Sequence, residues 1–438
     1  MSGGGAAPGR WWGRRVEIPA LLLATLLLAI AALGLILWSA LNHRAFHLTV
    51  SELEQHDLVA QLPSIVSLSG GALIEGNEVE IGHDGAFFGR LLEDIAAAEE
   101  SIHLETFVWW TGEICERVAG ALASRAREGV EVRLLIDARG GKRMTDQVRA
   151  TLERGGVELE LFHPLDLRHV GRFNFRDHRK IAVFDGRIAY LFGHGFDQSW
   201  TGNAQDRDHV RDTFVRVRGP IVNQIQAVFF ENWVQTTRVL PAGRTYLPEL
   251  EPVGDTTAHL AWYQPIGDLS ALEILYRVVL ASAGSEVLIQ NPYFVVDGPT
   301  IELFRRAVKR GVRVRAMLPA TDATDHPIVQ HASHQRFEEL LEAGVEILEY
   351  HRTLLHQKVI VIDRVWSSVG STNFDDRSFE LNDEVQIGML DRRIAAELIE
   401  AFERDAEHAT VLTLERWQQR SAWHRLIDRV AYLFHEQL

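Results

Sequence analysis

The sequence has a single cysteine, Cys115, among its 438 residues. One thiol excludes an internal disulfide framework and a cysteine-rich metal site. Basic side chains are also scarce relative to acidic ones, and the net charge is −15. Because affinity for nucleic acid rests on neutralising phosphates with lysine and arginine, this balance argues against a nucleic-acid partner. Hydrophobic residues make up 46% of the chain, as in globular proteins, and its length suggests two domains of ordinary size.

Charged residues are missing altogether from 18–41. A run of about 20 apolar residues is long enough to span the hydrocarbon core of a bilayer. We therefore predict a transmembrane helix at 16–41, after a glycine-rich disordered tail at 1–15. The alternative is a cleaved signal peptide, although its apolar region is usually only about 7–15 residues long. Three arginines precede the run, which favours a single-pass protein of the cell inner membrane with its catalytic part outside the cytoplasm; the side stays open.

The rest of the chain repeats one pattern of helices and strands. In each half, the periodicity of apolar residues predicts the order helix, strand, helix, strand, at 87–137 and again at 269–319. Alternating elements of this kind predict an α/β lobe with a mixed or mainly parallel sheet. The predicted organisation is a connector, lobe 1, an inter-lobe linker, lobe 2 and a C-terminal amphipathic helix, at 42–80, 81–240, 241–258, 259–408 and 409–438.

The C-terminal segment has an apolar face with arginines elsewhere. That face consists of Trp423, Leu426, Ile427, Val430 and Phe434. Packing against lobe 2 is the favoured interpretation. The alternative is a helix lying on a membrane surface, where tryptophan and arginine are both common.

The residues that indicate chemistry occur as two copies of a His-x-Lys-x4-Asp motif. The copies read HRKIAVFD and HQKVIVID, and their key residues are His178, Lys180, Asp185, His356, Lys358 and Asp363. Residues i and i+2 of a strand point to the same face, so each copy presents an imidazole beside an ammonium group. An imidazole can attack phosphorus or donate a proton near neutral pH, and an ammonium stabilises charge on phosphoryl oxygens. Two copies at equivalent places in a duplicated fold therefore indicate phosphodiester chemistry.

These motifs resemble those of the phospholipase D superfamily, and within it those of the bacterial cardiolipin synthases. The second motif continues into Gly-Ser-Thr-Asn at 370–373 and Asn-Asp-Glu at 382–384. The stretches at 174–186, 291–298 and 340–358 are also similar to cardiolipin synthase segments. The resemblance covers approximately residues 85–400. It implies two pseudo-symmetric phospholipase D-like α/β lobes that form one active site at their interface, preceded here by the single N-terminal transmembrane helix.

The resemblance also implies a covalent mechanism. One histidine attacks phosphorus to form a phosphohistidine, and the other protonates the leaving alcohol. By analogy His178 is the nucleophile and His356 the general acid, although the symmetric motifs do not themselves rank them. Lys180 and Lys358 would bind the phosphoryl oxygens. The supporting residues that the family implies are Ser371 and Asn373 as hydrogen-bond donors to phosphate, and Asp212 and Glu384 as carboxylates that orient the imidazoles. We expect Asp185 and Asp363 to tie down loops rather than to take part in the chemistry.

The first half departs from the family pattern after its motif. The family usually has Gly-Gly-x-Asn there, whereas this chain has Phe-Gly-His-Gly at 192–195. The asparagine is replaced by Gly195, so we expect lobe 1 to provide fewer hydrogen bonds to phosphate than lobe 2. His194 is one candidate to fill the space, and an ordinary loop histidine is the other.

The predicted function is cardiolipin synthesis from two phosphatidylglycerol molecules, with release of glycerol. One alternative is a phospholipase D that hydrolyses phospholipids or transfers their phosphatidyl group to another alcohol. A nuclease of the same superfamily and an inactive scaffold that binds anionic lipid are further alternatives. The expected partners are phospholipid substrates and the bilayer, with no nucleic acid and no obligatory protein partner. No cofactor and no metal are expected, and His331 and His334 lack the spacing of metal ligands.

Overall fold

The computed structural model describes residues 20–41, 48–51, 56–164, 174–265 and 269–435. The chain divides into two compact units, Met1–Ala45 and Phe46–Leu438. The predicted tail at 1–15, the first residues of the predicted span, 16–19, and part of the predicted connector lie outside the described residues.

The first unit contains helix α1, Ala20–Leu41. Side chains are described for residues 22–34 of this helix, and all of them are exposed. Within the described part of the chain, no helix is both long enough and apolar enough to cross a membrane. A helix is therefore present where one was expected, but a membrane span is not shown.

The second unit begins with α2 (Leu58–Leu68) and β1 (Ile74–His83), which precede lobe 1. The helices and strands of lobe 1 are α3 (Ala86–Ala97), β2 (Ser101–Thr106), α4 (Glu113–Arg127), β3 (Glu131–Asp137), α5 (Asp146–Gly155), β4 (Glu158–Phe162), β5 (Arg176–Asp177), β6 (Ile181–Phe184), β7 (Ile188–Phe192), β8 (Thr213–Arg218) and α6 (Val222–Thr237). Short 3₁₀ turns lie at Gly140–Arg143 and Gln198–Trp200.

Lobe 2 follows the same plan and is succeeded by a C-terminal extension. Its elements are β9 (Thr256–Tyr263), α7 (Ala271–Ser282), β10 (Glu286–Gln290), α8 (Gly298–Lys309), β11 (Arg313–Pro319), α9 (Pro327–Glu342), β12 (Glu346–Tyr350), β13 (Val359–Ile362), β14 (Trp366–Gly370), α10 (Asp376–Glu380), β15 (Asn382–Leu390) and α11 (Arg392–Ala406). The extension consists of β16 (Ala409–Val411), α12 (Leu414–Gln418) and α13 (Ala422–Tyr432), where the sequence had suggested one helix.

The strands of both lobes form one continuous sheet. Its order is β16-β12-β11-β10-β13-β14-β15-β9-β1-β8-β7-β6-β2-β3-β4, with β5 attached to β15. The two halves of this order mirror each other about the antiparallel pair β1 and β9. Strands β2, β3 and β4 pair in parallel, as do β10, β11 and β12, and the strands that carry the motifs are antiparallel to their neighbours. The predicted duplication and mixed α/β class are confirmed.

Helices α6 and α11 cover one face of the sheet and fill a core that both lobes share. Val183 and Val215 of lobe 1 belong to the same buried cluster as Val361 and Val385 of lobe 2. The opposite face has one separate core in each lobe. Because interiors are packed nearly as densely as organic crystals, a common core holds the two motif-bearing strands β6 and β13 in a fixed relation.

The apolar face of α13 points outward. Trp423 and Leu433 are 70% and 75% exposed, and Leu426, Val430 and Phe434 are also exposed. The opposite side of the helix contacts α9, with Asp428 and Ala431 buried. α13 thus packs on lobe 2, in line with the favoured interpretation, through the side that carries Asp428 and Ala431, while the predicted apolar face stays exposed.

Candidate active site

Each motif places its reactive pair just before a buried strand. His178 and Lys180 precede β6, and His356 and Lys358 precede β13. All residues of both strands are buried, which anchors the pairs on rigid backbone. In each copy the lysine Nζ donates a hydrogen bond to the histidine carbonyl two residues earlier, at 2.8 Å in lobe 1 and 2.7 Å in lobe 2.

Each imidazole is held by a carboxylate of the opposite lobe. Nδ1 of His178 donates to Glu384 Oε1 at 2.8 Å, and Nδ1 of His356 donates to Asp212 Oδ2 at 2.9 Å. Both carboxylates are fully buried. A carboxylate on Nδ1 fixes the tautomer and leaves Nε2 as the nitrogen available for chemistry.

Backbone hydrogen bonds repeat this exchange between lobes. His178 N donates to Asp383 O at 2.9 Å, and His356 N donates to Arg211 O at 2.8 Å. The acceptor in each case is the residue just before the carboxylate that binds the ring. Each histidine is thus fixed twice to the other lobe, and neither lobe alone could orient its own imidazole.

The carboxylate of Glu384 is surrounded by uncharged donors. Ser371 Oγ donates to Oε2, Ser378 Oγ donates to Oε1 at 2.8 Å, and Asn382 Nδ2 lies 3.4 Å from Oε1. Burial raises the pKa of Glu384 to about 7, and Lys180 and the two serines only partly oppose it. The second half of the site therefore contains an acid that titrates near neutral pH.

The carboxylate of Asp212 has different neighbours. Thr213 N donates to Oδ1 at 2.9 Å and Trp200 Nε1 donates to Oδ2 at 3.2 Å. Burial opposes its ionisation, but His194, His356 and Lys358 together hold its pKa below the ordinary value. A side chain at Gly193 would overlap both carboxylate oxygens, so the glycine makes room for this shorter acid. Asp212 is consequently ionised.

The four reactive groups influence one another. Burial is the main cause that lowers the pKa of both histidines. The total lowering is larger for His178, where Lys180, Lys358 and His356 add to the effect. Asp212 raises the pKa of His356 in opposition. Burial also lowers the pKa of Lys180 to about 8 and that of Lys358 to about 7. Such crowding of cations suits an anionic ligand, because a bound phosphate would stabilise their charged forms.

Because lobe 1 lacks the asparagine, different side chains line the two halves of the site. Asn373 is 5% exposed, and its Oδ1 has no hydrogen-bond partner among the described residues. At the equivalent Gly195, a Cβ would lie 3.1 Å from the Trp200 ring. His194 does not fill the gap, because its ring stacks on Phe87 and its Nε2 bonds to the Asp84 carbonyl at 2.8 Å. Trp200 occupies that side and contacts the His356 ring edge-on, at 5.6 Å between centroids.

The motif aspartates lie at the far ends of their strands and bind backbone. Asp185 accepts from the N–H groups of Glu99, Glu100 and Ser101. Asp363 accepts in the same way from the N–H groups of Gly284, Ser285 and Glu286. Both carboxylates thus join the turn after the motif strand to the start of the neighbouring strand, and the four buried strand residues separate each from its histidine.

Three contacts of the site were not predicted from the sequence. Trp200 and Ser378 each donate to a carboxylate, and Phe107 contacts His178 edge-on at 5.3 Å between ring centroids. A signal for the first two did exist. Gly195 and Asn373 are equivalent, and each is followed two residues later by an aspartate. Trp200 and Ser378 each lie three residues after that aspartate, so the internal alignment pairs them. Their different chemistry concealed the equivalence.

Comparisons with known proteins identify the family. The family model described as cardiolipin synthase, PLD-like domain, matches residues 91–233 and 276–406. The major cardiolipin synthase ClsA of Bacillus subtilis is 32% identical over 82% of this chain and 75% of its own length. Cardiolipin synthase 1 of Staphylococcus epidermidis is 32% identical over 86% of this chain and 77% of its own.

A crystal structure with the same fold is that of phosphatidylserine synthase from Haemophilus influenzae. It has a TM-score of 0.63 and 14% identity, and the match covers 85% of this chain and 98% of that one. The family match and the curated relatives together confirm the resemblance stated from the two motifs, and with it the expected phosphatidyltransferase class. The chain belongs to the cardiolipin synthase family of proteins with phospholipase D-like domains.

Proposed function

We propose that this protein transfers the phosphatidyl group of one phosphatidylglycerol to a hydroxyl of a second, producing cardiolipin and glycerol. One observation carries the proposal. Two imidazoles, each fixed through Nδ1 by a carboxylate of the opposite lobe, stand beside two buried lysines. That arrangement provides a nucleophile, a proton donor and a phosphate-binding pair in one site, and the curated relatives named above are cardiolipin synthases.

In the first step, Nε2 of His178 attacks phosphorus and a P–N bond forms. The bond from phosphorus to the glycerol oxygen breaks, and Nε2–H of His356 gives its proton to that oxygen. Lys180 and Lys358 stabilise the charge on the non-bridging oxygens. The products are glycerol and a phosphatidyl-histidine.

In the second step, a hydroxyl of the second phosphatidylglycerol attacks the same phosphorus. His356 Nε2, now neutral, takes the hydroxyl proton, and the P–N bond breaks to free His178. The general acid of the first step is the general base of the second, so the enzyme returns to its starting protonation state.

The electrostatics support His178 as the nucleophile. A nucleophilic imidazole must be neutral, and the pKa of His178 is held well below its ordinary value by burial and by Lys180 and Lys358. A general acid must carry a proton. Burial lowers the pKa of His356 as well, but less far than that of His178, and the ionised Asp212 on Nδ1 stabilises its imidazolium. The two halves are therefore biased toward different roles.

We also propose that the protein is held at the cell membrane, where both substrates reside. The sequence at 16–41 would supply a single-pass anchor. The outward apolar face of α13, with Trp423 and Phe434, would contact the lipid surface. Sequencing the N-terminus of the mature protein distinguishes an anchor from a cleaved signal peptide. Protease access to a C-terminal tag in intact cells reports the side of the membrane.

The test of the function is product identification. The detergent-solubilised protein is supplied with phosphatidylglycerol, and the lipids are identified by mass. Cardiolipin with an equal amount of glycerol supports the proposal. Phosphatidic acid with glycerol identifies a hydrolase, and the absence of any conversion indicates a lipid-binding scaffold. Either of these two results overturns the proposed function.

A further inference from the structure

A second cluster of ionisable side chains lies between α9 and α13. His331 and His334 are one turn apart on α9, and His424 and Asp428 are one turn apart on α13. Around the Asp428 Oδ1 atom, His331 Nδ1 lies at 2.7 Å, His334 Nδ1 at 3.7 Å and His424 Nε2 at 3.9 Å. One ligand atom from each of the four residues lies within 4.8 Å of all the others.

Most of these nitrogens have no hydrogen bond, although they are enclosed. His334 is 1% exposed, and neither of its ring nitrogens has a hydrogen-bond partner among the described residues. His424 Nε2 is likewise buried without a partner in that part of the chain. A buried polar atom left unpaired costs about 1–3 kcal/mol, and one hydrogen bond from His331 to Asp428 does not satisfy the other two rings. An ordinary ion-pair cluster does not explain this convergence.

We propose that His331, His334, His424 and Asp428 bind one divalent transition-metal ion of the zinc class. Three imidazoles with one carboxylate suit zinc rather than magnesium or calcium, which prefer oxygen ligands. Bond lengths of about 2.0–2.2 Å in a tetrahedron place the ligand atoms about 3.4 Å apart. His334 and His424 would therefore move slightly toward Asp428, and His331, now at 2.7 Å, would move slightly away. The other oxygen of Asp428 accepts a hydrogen bond from Arg420, an outer contact of the kind that orients metal-bound carboxylates.

The ion would join the C-terminal helix to lobe 2. The buried residues of α13 are only Asp428 and Ala431, and the helix contacts α9. Four protein ligands complete a tetrahedral site and leave no open position, which is the pattern of a structural metal. Two ligands from each helix would hold α13 in place while its apolar face remains outward. This inference stands apart from the proposed phosphatidyl transfer and survives if that function fails.

The experiment uses the full chain in detergent, stripped with a chelator and titrated with Co²⁺ and then Zn²⁺. We expect one Co²⁺ per chain, with the intense visible absorption of a four-coordinate ion, displaced by Zn²⁺. His424→Gln, on the more exposed helix, should weaken metal binding by about tenfold to a hundredfold and remove the tetrahedral spectrum. His326→Gln is the matched control, because this histidine lies at the start of α9 but outside the cluster.

Limited trypsin digestion gives a second readout. Arg425 and Arg429 are exposed on α13, so Zn²⁺ should slow cleavage there in the wild type and leave the rate unchanged in His424→Gln. His178→Ala and His356→Ala should each retain the cobalt spectrum, which excludes the catalytic histidines as its source. The proposal is overturned if the wild type shows no tetrahedral cobalt spectrum. It is equally overturned if His424→Gln binds the ion as the wild type does.

Discussion

The two halves of the site keep the same reactive pair and surround it differently. In lobe 2, a longer acid, Glu384, is bound by Ser371 and Ser378. In lobe 1, a shorter acid, Asp212, is bound by a tryptophan N–H and sits against Gly193. The duplicated fold fixed the positions of histidine and lysine, whereas the groups that set their protonation were free to diverge. Divergence of this kind allows two identical imidazoles to act as nucleophile and as acid.

The largest expected difference is between the two histidine variants. His178→Ala should lose about 10⁴-fold or more in kcat, because no covalent intermediate can form, and His356→Ala about 10²–10⁴-fold. A substrate with a strongly acidic leaving alcohol, such as a nitrophenol ester, needs no protonation. It should therefore restore the first step in His356→Ala but not in His178→Ala. Rescue of His178→Ala instead would reverse the assignment.

Substitutions of the two carboxylates, Asp212 and Glu384, should change the pH profile of kcat in different ways. Asp212→Asn removes the anion that raises the pKa of His356, so the alkaline limb of kcat should move to lower pH, with about 10²–10³-fold loss at pH 8. The pKa of Glu384 is about 7, so the acid is largely protonated below that pH and Glu384→Gln should change little there. Its effect should appear only as pH rises above 7. Identical profiles for the two variants would show that the halves are electrostatically equivalent.

Gly193→Ser tests whether Asp212 can keep its position only when residue 193 has no side chain. The new Cβ would displace the Asp212 carboxylate from His356, and we expect about 10–10²-fold loss of kcat with little change in KM. The reverse exchange, Ser371→Gly, removes the hydrogen bonds of Ser371 Oγ to Glu384 and to the Val385 backbone without displacing Glu384, and should have the smaller effect. Full activity of Gly193→Ser would mean that the glycine has no part in positioning the acid.

The motif aspartates should behave alike in both halves. Asp185→Asn and Asp363→Asn each weaken hydrogen bonds to three backbone N–H groups, and each should lower the free energy of unfolding by about 1–3 kcal/mol. Denaturant titration measures this change. The kcat of the folded fraction should stay within a few-fold of wild type, since neither carboxylate touches an imidazole. A selective loss of kcat without loss of stability would assign them to the chemistry.

The smallest effects should come from the outer donors to the carboxylates. Trp200→Phe removes one hydrogen bond, worth about 0.5–1.5 kcal/mol, or roughly a 2–10-fold change in kcat. Ser378→Ala removes the bond to Glu384 and also the bond that Ser378 Oγ accepts from Asn373 N, so its effect on kcat should be somewhat larger. Trp200→Phe should also lower the pKa of the alkaline limb slightly, because Asp212 loses a donor that orients it toward His356. Ser378→Ala should leave that limb unmoved.

Much of this account could be predicted from the sequence because it depends on local pattern. The strands that follow His178 and His356 and the duplication were visible in residue spacing, and the resemblance to the phospholipase D superfamily implied Asp212 and Glu384 as the carboxylates. The exchange of carboxylates between lobes was not, because it depends on how β5 pairs with β15 across the interface. Nor could spacing reveal that His334 meets Asp428, since the two lie on helices that pack only in the folded chain.

The assignment of His178 as nucleophile is tested most directly by trapping the covalent intermediate. The protein is mixed with phosphatidylglycerol, stopped in alkali to preserve the P–N bond, digested and examined by mass spectrometry. The account predicts a phosphatidyl adduct on the peptide that contains His178, more abundant in His356→Ala supplied with the activated ester. An adduct on the His356 peptide, or cardiolipin formed with no adduct on either, would contradict it.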